Sequence, residues 1–535
     1  MEADLVVTHG TIYTMDPGRP VVEAVAIGDG RIVTMGADAD VRPLVGRGSQ
    51  VLDLKGQPAI PGLTDAHVHL LSYGLSLEQV DLAGVPSLQD ALERVRARVV
   101  GLPPGEWVTG RGWDRNLWSP PLPPTRQALD AVAPANPVAL SSKDGHALWV
   151  NSLALRELGV DSATVDPEGG RIVRDATTGE ATGILLEQAI DALGARIPPP
   201  SSEALRRAAR AAMRRALSLG LTGVHNCEGG REMATLAGLW QEGALELRVY
   251  ELLPREGLDA AIELGLCTGL GDEWLRVGHL KLFADGSLGS HTADMVEPYE
   301  GEGENRGVAV LEGGALESLI RRAVQARIAP AVHAIGDRAN RRVLDAYATT
   351  RDEWARRGLR PRIEHVQVLT GPDIPRLAEL GVVASMQPIH ATSDMDMAEA
   401  YWGERSARAY AWRSLREAGT VLAFGSDCPV ETLDPLAGIH AAATRQRPDG
   451  SPVGGWRSEQ RLTVEEAVHA YTWGAAYAAG EERMKGTLAP GKVGDLVVLT
   501  QDIFRVAPAA IIETRVLATV CGGRLAYTTG ELAVG

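Results

Sequence analysis

No apolar stretch of this 535-residue chain approaches membrane-spanning length, and the opening "MEADLVVTHG" lacks the basic-then-apolar layout of a secretion signal. The sequence therefore reads as that of a cytoplasmic protein without a membrane partner. Cysteine is scarce. Cys227, Cys267, Cys428 and Cys521 lie far apart with no C-x-x-C pair, which argues against a disulfide framework and against a thiolate zinc knuckle. Basic charge is in deficit, with 53 Lys and Arg against 69 Asp and Glu for a formal net charge of −16, which disfavours nucleic acid or an anionic lipid surface as partner, since either would want a basic face. Lysine itself is rare, occurring only at Lys55, Lys143, Lys281, Lys485 and Lys492, while arginine serves as the default cation. Each lysine therefore invites a chemical reason.

What is present is a large apolar fraction, 45%, enough for one large domain and a smaller satellite. At the start, "ADLVVTHGTIYTM", "AVAIGDGRIVTMG" and "QVLDLKGQ" read as short strands punctuated by glycine turns; at the end, "GDLVVLT" and "VLATVCGGRLAYTTG" read the same way. Residues 1–58 and 485–535 are expected to combine in one small β-sandwich. Between them, apolar runs alternate with amphipathic stretches such as "SEALRRAARAAMRRALSLG" and "GALESLIRRAVQARI", the pattern of β/α units. Eight such runs, "AIPGLTDAHVHL", "LTGVHN", "LRVYELL", "VGHLKLFADG", "APAVHAIGD", "RIEHVQV", "GVVASMQP" and "VLAFGSDCPV", predict an α/β fold, a (β/α)8 TIM-like barrel over residues 59–484. Roughly 150 residues separate the first run from the second, where an ordinary unit needs a few dozen. Residues 75–200 are accordingly expected to be an inserted lid and substrate region on the face where barrel sites gather.

His67 and His69 in "PGLTDAHVHL" are two apart, so on a strand both imidazoles share a face. Alone, H-x-H is as well explained by polar residues at a strand end. The pattern gains force from Lys281, His333, His365 and Asp427, each near the end of another run, because in a barrel these ends converge. Imidazoles and a carboxylate meeting there make a nitrogen/oxygen site for zinc or a similar divalent ion, with coordination left open for water. Lys281 is out of place as an ammonium, but a buried neutral amine reacts with carbon dioxide to give a carbamate, an anion able to bridge two ions. The plainer alternative is an ion pair between Lys281 and Asp285. In the insertion, Trp113, Asp114, Trp118, Asp144, His146, Trp149 and Asn151 are candidates for a substrate pocket, with His146 placed to hydrogen-bond a carbonyl oxygen; the tryptophans read equally well as the insertion's own core. Asp285, Gln387 and His390 are weaker candidates near other strand ends. His225 is a candidate for a supporting role beside the ligands, while His9, His279, His440 and His469 read as structural.

"PGLTDAHVHL", "SSKDGHALWVNSLAL", "KLFADGSLGS", "VHAIGD", "IEHVQ", "SMQPIH", "GSDCPVETLDPLAGI", "RLTVEEAVHAYTWGAAYAAG" and "KGTLAPGKVGDLVVL" stand in the order found in the amidohydrolase superfamily, and nearly end to end the sequence resembles its YtcJ-like branch, amidohydrolase family 3, which includes N-substituted formamide deformylases. His291 in "GSHTA" departs from the branch's pattern, which carries arginine there. The resemblance implies two divalent ions, with zinc the expected metal: His67, His69 and Asp427 on the first, His333 and His365 on the second, carboxylated Lys281 and a hydroxide between them. It implies hydrolysis of a C–N amide-type bond in a small N-acyl or N-formyl amine, with Asp427 moving protons. The nearest rival is a mononuclear deaminase on the same barrel. Such enzymes lack the strand-four lysine and use a glutamate after strand five, which "VHAIGD" does not offer. A non-catalytic barrel would carry a broken ligand set, and here none of the set is missing. The acyl group, the amine, the identity of the metal and the oligomeric state, a homodimer included, are left open by the sequence.

Overall fold

Strands sandwiched between a filled barrel interior and an outer layer of helices must be apolar on both faces, and "LTDAHV" meets that demand with all six residues buried. The computed structural model, which describes residues 2–535 apart from 114, 121, 143–146, 168–169, 188, 191–196, 198 and 290, makes this segment the first strand, β1 (Leu63–Val68), of an eight-stranded sheet. β2 (Leu221–Asn226), β3 (Arg248–Pro254), β4 (Leu275–Phe283), β5 (Pro330–Ala334), β6 (Arg362–His365), β7 (Val383–Met386) and β8 (Leu422–Phe424) follow, all parallel and neighbours in chain order. Each of the eight predicted runs overlaps one of these strands, and the sheet is a (β/α)8 TIM-like barrel. The amphipathic stretches become the helices Ser202–Ser218 and Gly313–Gln325.

The first and last strands meet through polar bonds at their C-terminal ends. Asp427 N–H donates to the His67 carbonyl at 2.7 Å, and His69 N–H donates to the Cys428 carbonyl at 2.8 Å. The Asp65 carboxylate accepts from Ser426 N–H at 3.0 Å and Ser426 Oγ at 2.5 Å. Gly425 lets the backbones approach: a Cβ there would lie 2.5 Å from the His67 nitrogen and 2.6 Å from Asp65 Oδ1.

Both chain termini build the adjoining β-sandwich. One sheet combines Leu5–Thr8, Ala24–Gly28, Arg31–Gly36 and Gln50–Asp53 with Ala533–Val534. The other combines Thr11–Tyr13, Val21–Val22 and Pro58–Pro61 with Leu496–Leu499, Val516–Cys521 and Arg524–Thr528. Leu5, Val7, Ile27 and Leu52 share one apolar core with Leu496, Val498, Leu517 and Val520. The four cysteines are free thiols.

His279 is a further buried histidine of the barrel. His279 Nδ1 accepts from Tyr250 Oη at 2.9 Å, and its Nε2–H donates to the Arg360 carbonyl at 2.9 Å. Burial, reinforced by the charge of Arg362, pushes its pKa down to about 3. The unfolded chain, with an ordinary imidazole value near ~6.5, therefore binds more protons across that interval. Stability is complete above about pH 6.5 and is lost as the pH falls toward 3, by up to about 1.4 kcal/mol per pH unit for this one group. Urea unfolding followed from pH 7 to pH 4 is expected to show a falling midpoint, and His279→Gln is expected to flatten that dependence.

Residues 74–208 form a separate compact unit. Its six-stranded sheet runs Gly170–Arg174, Ala181–Glu187, Ala147–Val150, Val138–Ser142, Val108–Trp113, Val80–Asp81. The expected pocket tryptophans are this unit's own core. Trp113, Trp118 and Trp149 are buried with ring centroids 5.9 to 6.2 Å apart. Trp113 Nε1 donates to the Leu140 carbonyl and Trp149 Nε1 to the Thr125 carbonyl. Buried indoles with satisfied N–H groups present no surface to a substrate, so the assignment of Trp113 and Trp149 to substrate binding is corrected. Asn151 is likewise structural, capping the helix Ser152–Glu157 through Ala154 N–H. Asp114, Asp144 and His146 lie outside the described residues. Trp149→Ala is expected to destabilise this unit by about 3–5 kcal/mol; limited proteolysis within 74–208 at unchanged metal content checks this.

Candidate metal centre

β1 sends Asp65 and His67 to the same face, and β6 does the same with Arg362 and Glu364, each pair two residues apart. The consequence is a run of buried polar groups across the barrel. His67, His365 and Asp427 bring donor atoms within 4.8 Å of one another. His69 Nε2 stands 3.2 Å from Asp427 Oδ1. The His333 and His365 rings are 4.5 Å apart, and His67 lies 4.9 Å from His365. Lys281 reaches in from β4, its Nζ 3.3 Å from His67 Nε2. Each of the six expected ligands thus lies beside another of them. Asp427 and His365 hold positive φ values of 59° and 75° at the turns that leave β8 and β6, conformations uncommon for non-glycine residues.

Three of the imidazoles have one ring nitrogen tied to a protein oxygen. His67 Nδ1 bonds Glu364 Oε2 at 2.6 Å, His365 Nδ1 bonds Gln387 Oε1 at 2.8 Å, and His333 Nε2 bonds the Gly286 carbonyl at 2.9 Å. With a hydrogen on each tied nitrogen, the other nitrogen keeps its lone pair for a cation, the arrangement by which second partners orient metal ligands. Burial lowers the pKa of all three, His67 to about 4 and His333 to about 3 with the charge of Lys281 adding to both, and His365 well below its ordinary value with His333 and His67 adding. They are therefore neutral, as ligation requires. Burial works against ionising Asp427, yet the hydrogen bond from His69 leads the contacts that outweigh it and hold the carboxyl well below the usual range. Neutral imidazoles around an ionised carboxylate form a donor set that fits a divalent cation. A cavity of about 630 Å³ adjoins the cluster, bordered by His69, Lys281, Phe283 and Asp285.

Residues 50–527 match the profile of the amidohydrolase family. The chain belongs to this family. It is 34% identical to Protein LONG AFTER FAR-RED 3 of Arabidopsis thaliana over 98% of this chain and 92% of that protein. It is 33% identical to the putative amidohydrolase YtcJ of Bacillus subtilis over 97% and 98%, and 29% identical to the N-substituted formamide deformylase of Arthrobacter pascens over 98% of each. Among solved structures, an uncharacterised metal-dependent hydrolase from Pyrococcus furiosus superposes with a TM-score of 0.77 at 30% identity, covering 94% of this chain and all of that one. The protein is a metal-dependent hydrolase of the amidohydrolase superfamily.

Two other expectations for this amidohydrolase are revised. Gln387 acts on His365 rather than on substrate, since its Oε1 accepts the ring N–H. Asp285 is saturated by backbone, accepting from Asp294, Ile335 and Gly336 N–H groups at 2.8 to 3.0 Å, and so fixes the loop after β5. His333 Nε2 approaches it to 3.6 Å, where the plainer alternative places Lys281. His291, the departure from the family pattern, pairs with Glu302 and lies against Tyr299 and Tyr401. His390 stands 3.7 Å from Asp427 Oδ2, and His225 bonds Arg362 at 2.8 Å.

Glu364 was missed by the sequence reading. The signal was available: an acidic residue inside an otherwise buried strand, two positions after Arg362. Gln387→Leu is expected to leave the fold intact and weaken metal binding by about 10–100-fold, read by metal titration of the stripped protein.

Proposed function

We propose that the protein hydrolyses the C–N bond of N-acyl or N-formyl amines at a binuclear centre of zinc-like ions. His67, His69 and Asp427 would hold one ion, His333 and His365 the other, and Lys281 as its carbamate would bridge them. The observation that carries this reading is Lys281, one of five lysines in the chain, packed with its Nζ 3.3 Å from His67 Nε2. An ammonium there would oppose a cation, whereas attack of the neutral amine on carbon dioxide forms an N–C bond, releases a proton and leaves an anion. Similarity to the formamide deformylase over nearly the whole chain supports the bond type.

Bound divalent ions lower the pKa of water and polarise a carbonyl. Asp427 takes the proton of the attacking water while a C–O bond forms, then returns it to the nitrogen as the C–N bond breaks, releasing a carboxylic acid and an amine. The tethers from Glu364, Gln387 and Gly286 keep the imidazoles in place throughout.

A screen of the zinc-loaded protein against N-formyl, N-acetyl and longer N-acyl amines, with metal analysis of the same sample, tests the proposal. Release of amine at two ions per chain is the expected result. Lys281→Ala should lose metal and turnover together, with partial return on adding short carboxylic acids; a variant keeping two ions and full turnover would refute the bridge. Asp427→Asn should retain the fold and part of the metal while turnover drops by at least about 100-fold.

A further inference from the structure

Phe283, one of only three phenylalanines in the chain, ends β4 with 46% of its surface exposed. Its ring centroid lies 5.0 Å from Lys281 Nζ and 5.1 Å from the His333 ring, so an open aromatic face starts where the ligand cluster stops. Val310, 50% exposed, borders the same 630 Å³ cavity. Large apolar groups left uncovered beside a polar cluster are the ordinary makings of a ligand wall. The same cavity is lined by four carboxylates, Glu228, Glu232, Glu256 and Asp285, against two cationic side chains, Arg255 and Lys281. Glu228 is held in place by Leu71 N–H, Ser72 N–H and Ser72 Oγ at 2.8, 2.8 and 2.6 Å. Behind it, burial first, and then the charges of Glu228 and Glu232, push the Glu251 carboxyl well above its usual range. That corner of the barrel mouth is therefore a field of negative sign.

We infer that this cavity selects the substrate's side group, taking a neutral or cationic apolar substituent against Phe283 and rejecting an anionic one. The inference rests on the amide-hydrolysis reading for its reaction, but the cavity can be tested without it. The zinc-loaded protein would be given N-formyl benzylamine, N-formyl 4-sulfobenzylamine and N-formyl 4-(aminomethyl)benzylamine, with the sulfonate chosen because it is a poor metal ligand. In parallel, binding of benzyl alcohol and of 4-(hydroxymethyl)benzenesulfonate, which cannot be hydrolysed, would be measured by saturation-transfer NMR. The expected result is kcat/KM at least about tenfold lower for the sulfonate amide, carried by KM, and weaker binding of the sulfonate alcohol. Phe283→Ala should raise KM for the benzyl amide about tenfold at unchanged metal content, and Glu232→Lys should narrow the gap between neutral and sulfonated compounds. Equal handling of neutral and sulfonated compounds in both arms, or a Phe283→Ala protein with unaltered KM and unaltered benzyl alcohol binding, would overturn the assignment. Absence of turnover on every amide overturns the reading of the reaction, and the order of alcohol binding still supports or overturns the cavity.

Discussion

An ionised carboxylate with no exposed surface sets the terms for this barrel. Glu364 sits between Arg362, whose Nε is 2.5 Å from Oε1, and His67, whose Nδ1 is 2.6 Å from Oε2. Burial raises the pKa of such a group, and Arg362, His67 and Lys281 together reverse this and hold it well below the carboxylate range. Desolvating an ion costs several kcal/mol even after relaxation, so the charge is tolerated because Arg362 and His67 stand on either side of it. Removing either partner leaves a buried charge unmatched, whereas a hydrophobic barrel of the same shape would have avoided the cost. The barrel accepts it because the tether presents the opposite nitrogen of His67 to the centre.

The other side chains of the site follow the same logic of a second contact fixing the first. Gln387 does for His365 what Glu364 does for His67, and the Gly286 carbonyl does it for His333. Asp65 binds the His67 backbone and the Ser426 backbone and hydroxyl at once, which sets the spacing between the strands that bring His67 and Asp427. Positive φ at Asp427 and His365 is maintained by this surrounding network.

Strand ends were legible in the sequence because barrel strands are buried on both faces and announce themselves as apolar runs, so His67, Lys281, His333, His365 and Asp427 could be set at one mouth before any coordinates. The two-sheet sandwich was legible for a similar reason, through short alternating strands at both ends of the chain. Side-chain partnership was not. Whether Gln387 faces a ligand or a substrate depends on a few ångströms of packing between β6 and the turn after β7, which no periodicity encodes. Trp113 and Trp149 show the same limit from the other direction: an aromatic cluster in an insertion has the same spelling whether it lines a pocket or fills a core. Residues 74–208 proved to carry their own sheet, and the tryptophans are what that sheet packs upon.

The bond from Ser426 to Asp65 joins residues 361 positions apart. His67 and Asp427, which offer donor atoms to the same point, come from the first and the last barrel strands, so the donor set cannot be assembled locally and exists only after the longest loop in the domain has been closed. During synthesis the nascent chain carries His67 and His69 long before Asp427 has been made. Until then an early-bound ion would find only an incomplete pocket with fast release. The centre is thus a late product of folding, and its occupancy is a signature that the two ends of the barrel have met.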